Sequence, residues 1–314
     1  MLFLAPKKLP NQFYPTNFLY NLSIKINCGE EFMSPPKTPR FSKLLVCTDS
    51  SPSSSGVINA GLEIGRLTSA KLRLLTVVMS PLYPDQLPTS LEQMRAREQD
   101  VRARLEQYQA SAAEAGVDLE VRVRTSATAY EGILEEAGTD QPSLIVMGRK
   151  GSTKLSRLLM GSVAVRVIGL SPCSVMIVPR NAVLNLKKIL LAHDGSEYGE
   201  AAWREVIHLA KLAKSEVVAV SVARDDRQEI DCKIVLQHLE ASAARHGIPL
   251  YSVFLKGRPF EKIIETAKEE QVGLVAMGSH GHTGFARLFM GSVTERVSGT
   301  VECPVLVVKI RQEE

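Results

Sequence analysis

Two glycine-rich segments carry the residues most suited to chemistry in this sequence. They span residues 147–167 and 277–297, and each reads Gly, two residues, Gly, nine residues, Gly-Ser. The first contains Gly148, Gly151, Gly161 and Ser162, and the second contains Gly278, Gly281, Gly291 and Ser292. Glycine lets a backbone turn tightly and approach a ligand closely, because no Cβ atom stands in the way. A motif repeated in one register indicates the same use in both halves of the chain.

The surroundings of both segments predict a strand, a loop and the start of a helix. An apolar run precedes each segment, at residues 144–147 and 274–277, and a helix-like pattern follows each Gly-Ser pair. A helix start leaves N–H groups unpaired and carries partial positive charge, so it attracts phosphate. Ser162 and Ser292 could cap the helices or contact a phosphate oxygen. The alternative is that the glycines only end strands and cap helices; two matching copies favour phosphate binding.

His280 and His282 flank Gly281 on the second loop. A metal site needs three or four ligands, and neither cysteines nor a carboxylate cluster adjoin this pair in sequence. We therefore predict no metal ligands here and expect the two imidazoles to lie near the phosphate.

Strands and helices alternate through both halves of the chain. Strands are predicted at residues 43–48, 71–78, 118–124, 144–147 and 174–178, and again at 188–192, 217–222, 250–255, 274–277 and 304–308. Helices are predicted at residues 53–67, 90–115, 130–137 and 161–168, and again at 201–212, 232–246, 260–269 and 292–298. This alternation indicates parallel sheets covered by helices on both faces, where ligands bind beyond the carboxyl ends of the strands. Asp49 should therefore meet Gly148 at one such edge, and Asp194 should meet Gly278 at the other.

The repeated motif after a buried strand resembles the ATP-binding signature of the universal stress protein family. The chain is identified as a tandem member over about residues 42–310. The resemblance implies an α/β fold of two tandem doubly wound five-stranded parallel sheets, Rossmann-like and similar to adenine nucleotide alpha hydrolases, each in the order 3-2-1-4-5. The expected domains are residues 42–180 and 181–314. Residues 1–41 are expected to be a disordered extension or a mis-annotated start, since Gly29-Glu30-Glu31 before Met33 suits a translated ribosome-binding site.

The resemblance also implies two sites for ATP, with Mg²⁺. In the first half, Asp49 would lie near the ribose and adenine, the backbone of Val77 would contact adenine, and the cradle would comprise Gly148, Arg149, Gly151, Gly161, Ser162 and Val163. The second site would comprise Asp194, Val222, Gly278, Ser279, Gly281, Gly291, Ser292 and Val293. Asp49 could instead form only an Asx turn, and Arg149 could be merely solvated. The family often has Asp-Gly-Ser after its first strand, whereas this chain has Asp49-Ser50-Ser51.

Composition argues against several other classes of protein. The 314 residues include 38 basic and 34 acidic ones, a net charge of +4, which is too mild to indicate a nucleic-acid partner. The five cysteines are scattered, which favours reduced thiols and a cytoplasmic location. Apolar runs fall short of the roughly 18 residues that a membrane helix needs.

The function expected from these features is that of a cytoplasmic stress-response regulator that binds adenine nucleotide in one or both domains. A weak ATP hydrolase or phosphotransferase is one alternative, although we identify no catalytic residues, and a nucleotide-free dimerisation or interaction module is another. The family resemblance also implies dimerisation through the last strands, which two domains in one chain could achieve internally by pairing Val175–Val178 with Val305–Val308. This pairing would form an internal pseudo-dimer and protect the edge strands. A homodimer and an unknown protein partner also remain open.

Overall fold

The computed structural model describes residues 40–51, 54–79, 87–150, 160–281 and 290–310. The first half contains β1 (Lys43–Cys47), α1 (Ser55–Thr68), β2 (Lys71–Met79), α2 (Leu87–Glu114), β3 (Leu119–Ser126), α3 (Ala129–Asp140), β4 (Leu144–Gly148), α4 (Ser162–Leu170) and β5 (Ser174–Val178). The second half contains β6 (Lys188–Ala192), α5 (Glu197–Ala213), β7 (Glu216–Ala223), α6 (Glu229–His246), β8 (Leu250–Lys256), α7 (Pro259–Glu269), β9 (Leu274–Gly278), α8 (Ser292–Thr300) and β10 (Val305–Val308). A single 3-10 turn, Asp226–Gln228, precedes α6.

All ten strands belong to one sheet, in the order β3-β2-β1-β4-β5-β10-β9-β6-β7-β8. Within each half the strands are parallel and follow the order 3-2-1-4-5, which confirms the predicted fold. The halves meet where β5 and β10 pair antiparallel, with Leu306 opposite Met176 and Val307 opposite Val175. The tandem halves thus fit the internal pseudo-dimer that the sequence predicts.

Burial explains why the central strands are almost continuously apolar. Every residue of β5, β9 and β10 is buried, because helices cover both faces of a parallel sheet. Trp203 on α5 is 2% exposed, and its indole N–H donates to Ser242 Oγ at 3.0 Å. Cys173 and Cys232 are buried thiols that form no disulfide.

Two cations reinforce the join between the halves. The Arg149 guanidinium donates to the Val301 carbonyl at 2.8 Å, just beyond α8. In the opposite direction, Lys309 Nζ donates to the carbonyls of Gly169 and Ser171, at 2.9 and 2.7 Å, where α4 ends. The C-terminal end of a helix carries partial negative charge, so a cation there is favourable. Each of these two helices therefore receives a positive charge from the other half.

Some element boundaries differ from their predicted positions for local reasons. Helix α5 begins at Glu197, four residues before the predicted start, because Ser196 Oγ accepts the Gly199 N–H at 3.2 Å. Such a polar first turn hides the helical pattern of apolar residues. Helix α2 has 28 residues and its counterpart α6 has 18, so much of the extra length of the first half lies in this helix. The interpretation of residues 1–41 falls almost entirely outside the described residues.

Among the described helices, none has both the length and the apolar character that crossing a bilayer requires.

Candidate functional site

The parallel pairing of β1 with β4, and of β6 with β9, brings the predicted aspartates to the glycine-rich loops. In the second half the contact is close: a Cβ atom built on Gly281 would lie 2.5 Å from Asp194 Oδ2. Real Cβ atoms essentially never approach an oxygen so closely, so any other residue would push the loop from the carboxylate. The loop and Asp194 therefore form one site, as the order of the strands predicts.

Hydrogen bonds hold both aspartates in a fixed orientation. Asp194 Oδ1 accepts the Ser196 N–H at 3.1 Å and the Ser196 hydroxyl at 2.6 Å. Asp49 Oδ1 accepts the Ser51 N–H at 3.1 Å and the Ser54 hydroxyl at 2.6 Å. Partial burial opposes ionisation of Asp49, but the hydrogen bonds from Ser51 and Ser54 outweigh it and lower the pKa of this carboxyl. The Asx turn envisaged as an alternative is thus present, and it positions an ionised carboxylate at the site.

The turn after each aspartate has the same shape in both halves despite different residues. Ser50 has φ of 54° and Gly195 has φ of 87°, so both lie in the left-handed region. The Ser50 N–H donates to Thr48 Oγ1, and the Gly195 N–H donates to His193 Nδ1, each at 3.0 Å. The serine that departs from the family pattern therefore adopts the glycine conformation, at a steric cost.

Glycines close both loops onto the helices that follow them. The Gly161 N–H donates to the Arg149 carbonyl and the Gly291 N–H donates to the Ser279 carbonyl, each at 2.9 Å. A Cβ atom on Gly161 would lie 3.2 Å from the Arg149 oxygen, and one on Gly291 would lie 3.3 Å from the Ser279 oxygen. Tight packing at both positions therefore favours glycine.

These same glycines are the N-caps of α4 and α8, which rules out the first of the two roles expected for the serines, the helix cap, and leaves contact with a phosphate oxygen as a prediction. Ser162 and Ser292 are the first residues of their helices, so neither hydroxyl occupies the capping position. Glycine has no side chain with which to cap, whereas Thr128 caps α3 by accepting the Glu131 N–H. The first N–H groups of α4 and α8 therefore have no partner in their own N-cap side chain and suit an anion.

A cavity of about 230 Å³ opens at this edge of the second half. Seven of the eight residues predicted for the second site line it: Asp194, Val222, Gly278, Gly281, Gly291, Ser292 and Val293. The eighth, Ser279, is buried, and its N–H donates to the Val308 carbonyl at 2.8 Å. Ser279 thus supports the loop from behind rather than facing the cavity.

Several lining residues were missed by the sequence reasoning: His193, Arg224, Asp231, Cys232 and Thr294 also face the cavity. His193 directly precedes Asp194, so its position was a usable signal. Its Nε2 lies 3.3 Å from Glu200 Oε1 on the first turn of α5. Thr294 donates to the Gly278 carbonyl at 2.9 Å, so it ties α8 to the end of β9.

In the first half the predicted residues gather at the equivalent edge, with two qualifications. Val77 lies on β2, while Gly148, Gly161, Ser162 and Val163 lie at the end of β4 and the start of α4. The Arg149 side chain turns to the second half and contacts Val301, as described above, whereas its backbone belongs to the loop. Gly151 and, in the second half, His282 lie outside the described residues.

The cavity of the second half, of about 230 Å³, combines three kinds of surface suited to a nucleotide. Val220, Val222 and Ile263 give an apolar wall, Asp194 gives a carboxylate, and the start of α8 gives N–H donors. His280 beside it packs its ring against Tyr198, with centroids 5.0 Å apart. In the described parts of the chain, His, Cys, Asp and Glu side chains form no group of three or more able to hold a metal ion by themselves. Mg²⁺ usually binds through one or two carboxylates together with substrate phosphates, so a single aspartate remains compatible with it.

Comparison with known proteins gives a consistent result. The Universal stress protein family matches the chain twice, at residues 40–179 and 185–309. A universal stress protein from Mycolicibacterium smegmatis is 26% identical over 294 residues, covering 85% of this chain and 97% of that protein. One from Methanocaldococcus jannaschii is 31% identical over 151 residues, covering 43% of this chain and 89% of that protein. A solved universal stress protein from Archaeoglobus fulgidus has a TM-score of 0.71 at 23% identity, covering 87% of this chain and all of that one.

Proposed function

The chain belongs to the universal stress protein family, and we propose that it is a regulator that binds an adenine nucleotide, ATP with Mg²⁺, in both halves. The observation that carries this proposal is the meeting of Asp194 with the glycine loop, where the Gly281 backbone lies against the carboxylate. A fixed carboxylate beside an N–H cradle suits a ligand with sugar hydroxyls at one end and phosphates at the other.

The side chains at hand fit this ligand. The apolar wall from β7 and α7 suits the base, and the starts of α4 and α8 suit the phosphates. Mg²⁺, when bound, would neutralise phosphate charge, with Asp49 or Asp194 as the protein carboxylate. In both halves the glycine before the helix donates its N–H to a loop carbonyl at 2.9 Å, which supports two sites rather than one.

Nucleotide binding, measured by calorimetry, distinguishes the proposed function from the two alternative functions. Purified full-length protein is titrated with Mg-ATP by calorimetry, beside Gly161→Val and Gly291→Val. Both positions have ordinary negative φ values, −69° and −59°, so the backbone torsions accept valine. The valine side chain would press against the Arg149 or Ser279 carbonyl oxygen, which lies only 3.2 or 3.3 Å from a Cβ atom at that position, and would crowd the first turn of the helix, where the phosphates would lie.

Gly138→Val is the matched control, because Gly138 lies on α3 and a Cβ atom added there would meet nothing within 4 Å. We expect two equivalents of ATP for the wild type and for this control, and one for each cradle variant. Binding to neither half, with folding verified by circular dichroism, would instead favour the interaction module. Phosphate release over several turnovers would favour the hydrolase.

The proposed setting is the cytoplasm, with the ligand-bound state read by a protein partner. Because the tandem halves fit an internal pseudo-dimer, we expect a monomeric chain in solution. Light scattering that gave a stable dimer or tetramer would show that a further surface takes part.

A further inference from the structure

Another cavity, which we call the chamber, borders the proposed nucleotide site of the second half. It has a volume of about 410 Å³ and shares Arg224, Ser292 and Val293 with the cavity of about 230 Å³ described above. Arg258 and Arg296 also line it. A phosphate held at the start of α8 would therefore lie beside a chamber whose wall carries three arginines.

These arginines come from three separate elements and converge only in the fold. Arg224 directly follows β7, Arg258 directly precedes α7, and Arg296 lies on α8. The Arg296 guanidinium lies over the Phe260 ring, with its Cζ atom 4.5 Å from the ring centroid, a favourable cation–π contact that positions it. The Arg258 Nη1 atom lies 3.1 Å from Glu261 Oε1, and 75% of the Arg258 side chain is exposed, so it can turn towards a ligand.

The chemistry of the chamber favours phosphate. Among the described residues, its lining has three arginines and no carboxylate. Helices α7 and α8 both begin at this chamber, and their partial positive charge adds to that of the guanidinium groups. The planar fork of arginine matches two phosphate oxygens at once, which gives shorter and stronger hydrogen bonds than neutral donors give.

The first half repeats only one of the three arginines. Arg166 stacks over Tyr130 at 4.6 Å, as Arg296 does over its own ring. Met79 and Thr128 occupy the positions equivalent to the other two arginines, at the offsets of 145 and 130 residues that relate the repeats. Thr128 also closes the start of α3 with its own hydroxyl. The full set of three arginines is thus a feature of the second half.

We propose that Arg224, Arg258 and Arg296, the arginine cluster, bind a phosphate group in addition to those held by the glycine cradle of the second half. This inference deepens the proposed function and rests on it. The phosphate belongs either to the nucleotide itself, as its terminal phosphate, or to a free phosphoanion beside it. In both cases the phosphate meets two arginines that the first half does not have at the equivalent positions.

The test gives the second half the residues of the first, in the double variant Arg224→Met with Arg258→Thr. Arg95→Met with Arg97→Thr is the control, because it removes the same charge from exposed positions on α2. All proteins carry Gly161→Val so that the second site is measured alone. The proteins are titrated by calorimetry with AMP, Mg-ATP and inorganic pyrophosphate. In the double variant, binding of ATP or pyrophosphate should be about 10- to 100-fold weaker than in the control, as expected for the loss of charged hydrogen bonds. AMP affinity should fall by less than ATP affinity, because the single phosphate of AMP remains in the glycine cradle.

The titrations with ATP and with pyrophosphate distinguish the two sources of the phosphate. Loss of ATP affinity, with pyrophosphate displaced by ATP, assigns the phosphate to the nucleotide. Arginine-dependent pyrophosphate binding at saturating ATP assigns it to a free anion. Wild-type affinity of the double variant for both ATP and pyrophosphate would overturn the proposal. If the Gly161→Val protein without further substitutions bound neither AMP nor ATP, the proposed function would be wrong for this site. Pyrophosphate binding would still show whether the arginine cluster binds phosphate.

Discussion

The substitution Arg149→Met tests whether the Arg149 guanidinium stabilises the contact with Val301 or binds the phosphates of the ligand. Its Nη1 atom donates to the Val301 carbonyl at 2.8 Å, and methionine keeps most of the aliphatic packing while removing every donor. A hydrogen bond from a charged donor contributes roughly 1.5–3 kcal/mol. Burial lowers the pKa of Arg149, so the cost of desolvating the guanidinium offsets part of this gain. We therefore expect the free energy of unfolding to fall by about 1–2 kcal/mol.

The assay uses urea unfolding followed by the fluorescence of Trp203, the only tryptophan, which is buried in the second half. Arg97→Met, at an exposed position on α2, is the charge-matched control. In a Gly291→Val background, Mg-ATP affinity of the first site should stay within about twofold, because the guanidinium faces Val301 and not the ligand. Unchanged stability with a tenfold loss of affinity would refute this reasoning and restore the side chain to the phosphate loop.

Three further sets of substitutions test the inter-half contact, the aspartate turns and the glycine loop. Burial lowers the pKa of Lys309 to about 8 from 10.5, so between these pH values the unfolded chain binds more protons and stability rises with pH. We expect urea unfolding to show that the free energy of unfolding of the wild type, relative to that of Lys309→Met, is higher at pH 9.5 than at pH 7.5. The same difference between the two proteins at both pH values would contradict this prediction. Ser50→Gly should raise the free energy of unfolding by up to about 1 kcal/mol, and Gly195→Ser should lower it by about 1 kcal/mol, because both turns need positive φ. Thermal unfolding checks both, and a neutral Gly195→Ser would count against the strained turn. Gly281→Ala should weaken nucleotide binding at the second site about tenfold, because its Cβ atom would lie 2.5 Å from Asp194 Oδ2. Calorimetry that gave wild-type affinity would show that the loop does not close on this carboxylate.

The internal repeat made most of the fold predictable. Strands in a doubly wound sheet are indicated by short apolar runs, and matching runs in both halves fixed their number. The pairing of β5 with β10 was expected from the family resemblance, and it leaves neither Val175–Val178 nor Val305–Val308 as an exposed edge strand. Helix starts were less accurate, as at Glu197, where a capping serine and acidic residues replace the apolar pattern.

The candidate site was predictable where it depends on the repeated motif and on the order of the strands. Asp194 and the second glycine loop were placed at one edge of the sheet from that order, and the close approach of Gly281 to Asp194 agrees with this. The direction of the Arg149 side chain was not predictable, since its acceptor lies 152 residues away in the other half. The arginine cluster was hidden for the same reason: its members belong to three elements, and sequence shows each one only as an exposed charge.

Native mass spectrometry of the full chain with Mg-ATP tests the central claim most directly, because it counts bound nucleotides on each molecule. We expect two nucleotides on the wild-type chain and one on either Gly161→Val or Gly291→Val. A folded wild-type chain that stayed free of nucleotide at millimolar Mg-ATP would contradict the proposed function.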